Sequence, residues 1–194
     1  HTSIDKGQEY PLHGRASFIP ARNVMTNGEW DGDDYIMWAQ GDIRENSVLG
    51  ENLCLTRKIW CKMGEKVIHI RDTVENHGFE SVEHMLVYHM NFGFPLLEAD
   101  TVFNAPVNDV IPWDVTWDQM VGKQTSLDIN EVSERELGSY NTFDLPQQKY
   151  LNRVYSLNMQ PDNNGEVIVS LTNSSRSRDH NVGIYLKYDM VPLP

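Results

Sequence analysis

Apolar and polar residues alternate along much of this chain with a period of two, the spacing of strands that bury one face. Leu53, Leu55, Ile59, Cys61 and Met63 share one parity. Gly64-Glu65 then offers a turn, and Val67-Ile68-His69-Ile70 starts a return strand, so the stretch reads as an antiparallel hairpin. Asn76-His77-Gly78 is the next turn signal, and a further strand is predicted from His84 to Met90. Two more strands are predicted at Glu166 to Thr172 and Asn181 to Met190, with the polar loop 173–180 between them. Helical periodicity is scarce. One short helix is predicted around Glu131 to Leu137, capped by Asp128 or Asn130. Pro95, Pro106, Pro112 and Pro146 punctuate the middle, and residues 98–150 are less regular than their flanks. Many short strands between turn signals, with no internal repeat, predict an all-β sandwich or barrel as a single domain over residues 1–194.

Composition supports a folded core. The chain has 194 residues, 40% hydrophobic and 10% aromatic, and a chain of this length buries roughly 70% of its unfolded surface. No apolar run approaches the roughly 20 residues of a bilayer span. Sixteen basic and 28 acidic residues give a net charge of −12. That charge repels phosphate backbones and anionic membrane surfaces, so neither nucleic acid nor membrane is expected as a partner. Neutral small molecules remain open. Cys54 and Cys61 lie seven apart in one strand and so face opposite ways. They cannot pair while the strand is intact, and two unpaired thiols fit a reducing, cytoplasmic setting. No secretory signal is visible in these residues.

Familiar chemical motifs are absent: there is no Gly-rich phosphate loop, H-E-x-x-H, C-x-x-C or G-x-S-x-G. Three polar clusters stand out instead. The first is Tyr10-Pro11-Leu12-His13-Gly14-Arg15, where glycine lets the backbone approach a ligand and Arg15 adds a donor fork. A loop with a surface histidine and an ion-paired arginine is the plainer reading. The second runs from Gly41-Asp42-Ile43-Arg44-Glu45 through Gly50-Glu51-Asn52 to Arg57, either lining a polar pocket or forming ion pairs on a solvated face. The third is Met85 to Pro95, in which His89 and Asn91 share one parity. Buried there, they need partners, either in the core or among the hydroxyls of a sugar. Histidine also titrates in the range that suits proton transfer.

The spacings of His69, His77, His84 and His89 match no zinc or iron pattern, so no metal or other cofactor is expected. Trp30, Trp38, Trp60, Trp113 and Trp117 are either core anchors or platforms for a sugar ring. Trp113 and Trp117, beside Asp114 and Asp118, are the better ligand candidates.

These segments carry a resemblance. Pro11-Leu12-His13-Gly14-Arg15, Arg44-Glu45, Gly50-Glu51-Asn52-Leu53, Asp72-Thr73-Val74-Glu75-Asn76 and Tyr88-His89-Met90-Asn91-Phe92-Gly93-Phe94-Pro95-Leu96-Leu97 resemble the galactose mutarotase-like superfamily. Within it they resemble an aldose 1-epimerase-like group of unknown function, DUF4432. The likeness is clearest over roughly the first hundred residues. It implies a twisted antiparallel β-supersandwich with a sugar cleft on a concave sheet. It also implies anomer interconversion, in which a histidine protonates the ring oxygen and a glutamate takes the proton of the anomeric hydroxyl. Carried over, His89 is the acid, His13 binds and polarises the sugar, and Arg15 hydrogen-bonds a hydroxyl. Arg44, Glu51, Asn91 and Trp113 complete the candidate substrate-binding set.

The family places its base on a strand near the C-terminus, but no glutamate follows Glu166, which sits in an Asn-Gly turn context. The family also has a longer N-terminal sheet before the His-Gly element. Either the chain is a fragment of a longer enzyme, incomplete at both ends, or a different acid has the base role, or it is not a mutarotase. The first is favoured, and it implies sheet edges covered by a partner segment or a second copy. Two other functions compete with the epimerase: a non-catalytic carbohydrate-binding protein on the same scaffold, and a related sugar isomerase or glycoside-cleaving enzyme. The last needs two carboxylates at a suitable separation; Glu45, Glu51, Asp114 and Asp118 are available but nothing pairs them.

Overall fold

Between residues 22 and 76 the chain builds four long strands, of which the sequence pattern predicts the last two. The structure is a computed structural model that describes residues 2–5, 8–11, 13–47, 50–99, 101–112, 140–143, 154–174 and 181–190. Two compact units are present, His1–Val87 and Tyr88–Pro194.

The first unit opens with a hairpin of β1 (Thr2–Asp5) and β2 (Gln8–Pro11), followed by a 3₁₀ turn at Ala16–Phe18. Its main sheet has the order β3-β4-β5-β6, formed by Arg22–Asp31, Asp34–Asn46, Asn52–Lys62 and His69–Asn76. All neighbours are antiparallel. The predicted hairpin is therefore β5–β6. Its turn closes where Glu65 N–H donates to Lys62 O at 3.1 Å, with Gly64 at φ +86°, a conformation that costs glycine least. The return strand begins at His69, because residues 64–68 form the turn and its exit.

Register sorts the side chains of this sheet into two faces. On one, Ile43, Leu55 and Val74 form a cross-strand row, and Ala39, Ile59 and Ile70 form the next. Between them lies one charged pair. Arg57 donates from Nε and Nη2 to the two oxygens of Asp72, at 2.8 and 2.6 Å, and the Asp72 side chain is only 3% exposed. A carboxylate so buried needs this two-pronged partner to remain charged. The opposite face carries the row Trp38, Trp60 and His69, with Lys58 opposite Arg71 beside it. Cys54 and Cys61 fall on opposite faces and are both free, as their spacing required.

In the second unit β7 (Thr101–Asn104), β10 (Glu166–Asn173) and β11 (Val182–Asp189) form a sheet of order β11-β10-β7. β8 (Val107–Pro112) and β9 (Tyr155–Met159) form a separate hairpin. β10 shows the clearest alternation: Val167, Val169, Leu171 and Asn173 are buried, while Ile168 is exposed. Burying a Val or Leu side chain stabilises by roughly 1.5–3 kcal/mol, so this strand anchors its unit. The turn before β10 is closed by Asp162, whose Oδ1 accepts from the N–H groups of Asn164 and Glu166.

One predicted strand is not formed. Residues 81–92 have no strand pairing. Their alternation is genuine, with Val82, His84 and Leu86 half-buried and Met85 and Val87 exposed. A strand also needs a backbone neighbour to accept its ladder, and no described segment supplies one. His84, His89 and Asn91 therefore cannot be sorted by strand parity. The predicted helix at Glu131 to Leu137 lies outside the described residues, as do Trp113, Asp114, Trp117 and Asp118. Apart from the 3₁₀ turn at Ala16–Phe18, the secondary structure of the described residues is all antiparallel β.

Candidate functional site

The His13-Gly14-Arg15 element forms the bend that leaves β2. Gly14 has φ +71°, and its N–H donates to Pro11 O at 3.0 Å. A side chain at that φ would be strained, so glycine is the residue that lets the chain turn here. The 3₁₀ turn follows, with Phe18 N–H donating to Arg15 O at 2.9 Å. His13 is exposed in this bend.

Arg15 reaches from the bend to the end of β4 and the turn beyond it. Its Nε donates to Glu45 Oε1 at 2.6 Å, and its Nη2 donates to Glu51 Oε2 at 3.2 Å. All three side chains are about three-quarters buried. Partial burial disfavours the guanidinium charge, but the hydrogen bonds and charges of Glu45 and then Glu51 outweigh it and raise the Arg15 pKa. Two predicted site residues, Arg15 and Glu51, are thus brought together, and Arg15 also holds Glu45, which the sequence left in another role. Arg44 does not join them. It neighbours Glu45 in β4, so it projects from the opposite face, and it is exposed.

A second arrangement on the same sheet centres on Asp42. A bulge in β3 shifts the register between Arg22 and Met25 and holds Asn23 at φ 51°, a conformation asparagine tolerates better than most residues. Asn23 Nδ2 donates to Asp42 Oδ2 at 2.8 Å, and Thr56 Oγ1 donates to Asp42 Oδ1 at 2.9 Å. These bonds, the one from Asn23 foremost, lower the Asp42 pKa.

In the second unit, His89 and Asn91 are both exposed in the segment that leads to Gly93. The following loop is tightly fastened. Leu96 and Leu97 N–H both donate to Gly93 O at 3.0 Å. Thr101, 1% exposed, donates from Oγ1 to Leu96 O at 2.6 Å and accepts from Glu98 N–H at 2.8 Å. Asn173, buried at the end of β10, donates from Nδ2 to Pro95 O at 2.8 Å and Glu98 Oε2 at 3.0 Å. The Phe94-Pro95 peptide within this loop is cis. Sequence reasoning missed Thr101, Asn173 and Glu98, which hold the loop. The available signal was a buried-parity asparagine at the end of an apolar strand. Among the described residues no three His, Cys, Asp or Glu side chains gather as a metal-ligand group, and no helix is long and apolar enough to cross a membrane.

Among the described residues the sheets are all antiparallel, and the comparison with solved structures finds the same fold elsewhere. The crystal structure of "a putative aldose 1-epimerase from Klebsiella pneumoniae subsp. pneumoniae MGH 78578" superposes with a TM-score of 0.78 at 23% identity. The match covers 95% of this chain and 43% of that one, so the chain spans less than half the length of that protein. The chain belongs to the family described as Domain of unknown function (DUF4432), whose model matches residues 1–194. No curated protein matches it.

Proposed function

We propose that this chain is part of a carbohydrate-active protein of the aldose 1-epimerase type, interconverting the anomers of a sugar. The observation that carries the reading is the shared fold with the Klebsiella protein, together with a His-Gly-Arg bend whose arginine is fixed by Glu45 and Glu51. Anomer exchange needs an acid at the ring oxygen and a base at the anomeric hydroxyl; the ring opens, the aldehyde rotates, and the ring recloses on its other face. His89 is assigned the acid and His13 the group that binds and polarises the sugar. Arg15, held by two carboxylates, keeps the bend in shape beside His13 and orients a sugar hydroxyl. Glu51, Asn91 and Trp113 remain the proposed substrate contacts, Arg44 is set aside because it projects from the opposite face to Glu45, and the protein acts in the cytoplasm. Glu166 is not assigned the base, because its Oε1 is 2.6 Å from Lys187 Nζ.

A second reading is a carbohydrate-binding protein without turnover, since no base is assigned among the described residues. Saturation-exchange NMR of α and β aldoses separates the two. An epimerase exchanges anomers faster than buffer, and His89→Ala lowers the rate by about 10²–10⁴-fold. Sugar binding with no exchange leaves the binding protein. Exchange that His89→Ala does not slow contradicts the assigned acid.

A further inference from the structure

One face of the β3–β6 sheet offers donors with no matching acceptors. Lys58 in β5 and Arg71 in β6 are register partners, so two cations stand directly opposite each other. Like charges in that position are destabilising, and they occur here on a chain of net charge −12. Among the described residues neither has a carboxylate within ion-pair distance. The nearest carboxylate row on this face is that of Asp42, whose oxygens are occupied by Asn23 and Thr56.

Each cation rests on an indole. Lys58 Nζ lies 4.9 Å from the Trp38 ring centroid, and Arg71 Cζ lies 5.6 Å from that of Trp60. Trp60 is itself stacked against His69, with centroids 4.9 Å apart and planes 11° from parallel. Cation–π contact attracts each charge to its ring and limits the rotamers it samples. Below Lys58, Trp38 Nε1 is buried with no hydrogen-bond partner. An ammonium and a guanidinium, both donors, are thus gathered on one strip of the sheet above a buried indole N–H. A fixed donor set of this kind has a low entropy cost for capturing an oxyanion.

We infer that this face binds an acidic saccharide, whose carboxylate or phosphate bridges Lys58 and Arg71. The anion follows from the unmatched cations; that it is carried on a sugar rests on the function proposed above. The fork of Arg71 suits a planar carboxylate or a phosphate edge, and Lys58 adds a point charge. The site would then select charged sugars on a molecule whose overall field repels them.

Calorimetric titration of the 194-residue chain with a hexuronate, a hexose phosphate, the neutral hexose and inorganic phosphate tests this. Binding of either acidic sugar more tightly than the neutral hexose is expected. Which one binds identifies the source of the oxyanion. Lys58→Gln and Arg71→Gln should each weaken it at least about tenfold, Lys58→Arg should retain it, and added salt should weaken it. The inference is overturned by equal binding of the neutral sugar, by no binding of either acidic sugar, or by binding that both Gln variants leave unchanged. It is also overturned if inorganic phosphate binds as tightly as the hexose phosphate, which would leave an anion site without a sugar. A chain that captures the acidic sugar through Lys58 and Arg71 yet exchanges no anomers keeps this inference and loses the epimerase reading.

Discussion

Two arginines that look alike in the sequence do different work in the fold. Arg57 neutralises Asp72 on an apolar sheet face, where the carboxylate has almost no access to water. Arg57→Ala should destabilise the protein by about 2–4 kcal/mol in urea denaturation, the lower end reflecting the partial exposure of Arg57. Replacing both residues by leucine should recover most of that loss, because no unpaired charge remains. Arg15→Ala should cost about 1–3 kcal/mol, since Glu45 and Glu51 would face each other without their shared cation. The sequence showed Glu45, Glu51 and Arg57 within a cluster of opposite charges, with Arg15 in a separate element, and left open whether the cluster lined a pocket or formed ion pairs. It could not assign the pairs, because Arg15 and Glu45 come together only through the β2 bend and the β4 register. Asp72 was legible only as part of a motif; its burial depends on cross-strand neighbours.

Alternation predicts β5, β6, β10 and β11, whereas β1–β4 and β7–β9 were not read from the sequence although most of them pair within hairpins. β5, β10 and β11 fall within a residue or two of the expected spans, and the Gly64 turn lies where its backbone freedom is needed. The segment 81–92 has the same alternation and forms no strand, because periodicity reports which side chains seek burial and not whether a neighbouring backbone is present. The loop after it owes its shape to distant residues that periodicity does not link. Asn173→Ala should remove two buried hydrogen bonds and cost about 1–3 kcal/mol. Hydrogen exchange should then quicken at Leu96, Leu97 and Thr101, while the amides of β5 keep their protection. Loss of protection throughout both units would show that Asn173 supports more than this loop.

At the scale of the whole molecule, acid should weaken the fold in a defined direction. Asp42 and Asp162 both have lowered pKa values, Asp42 through Asn23 and then Thr56, Asp162 through the N–H groups of Glu166 and then Asn164. A carboxylate with a folded pKa below its unfolded one adds stability that is complete above the unfolded value. That contribution is lost as pH falls through the folded value. The melting temperature should therefore hold from neutrality down to about pH 5 and fall below about pH 4. Asp42→Asn should reduce the steepness of that fall. All-β class was legible throughout because turns and alternation are local, whereas the site was legible only as motifs whose geometry is set by register and bends. The central proposal is that the protein acts on sugars, with His13 and His89 as its proposed residues. Amide chemical shifts recorded during titration with a panel of aldoses test it most directly. The account predicts that one sugar produces saturable shifts centred on His13–Arg15 and His89–Asn91. Saturable binding that leaves both segments unmoved, or no binding across the panel, would contradict it.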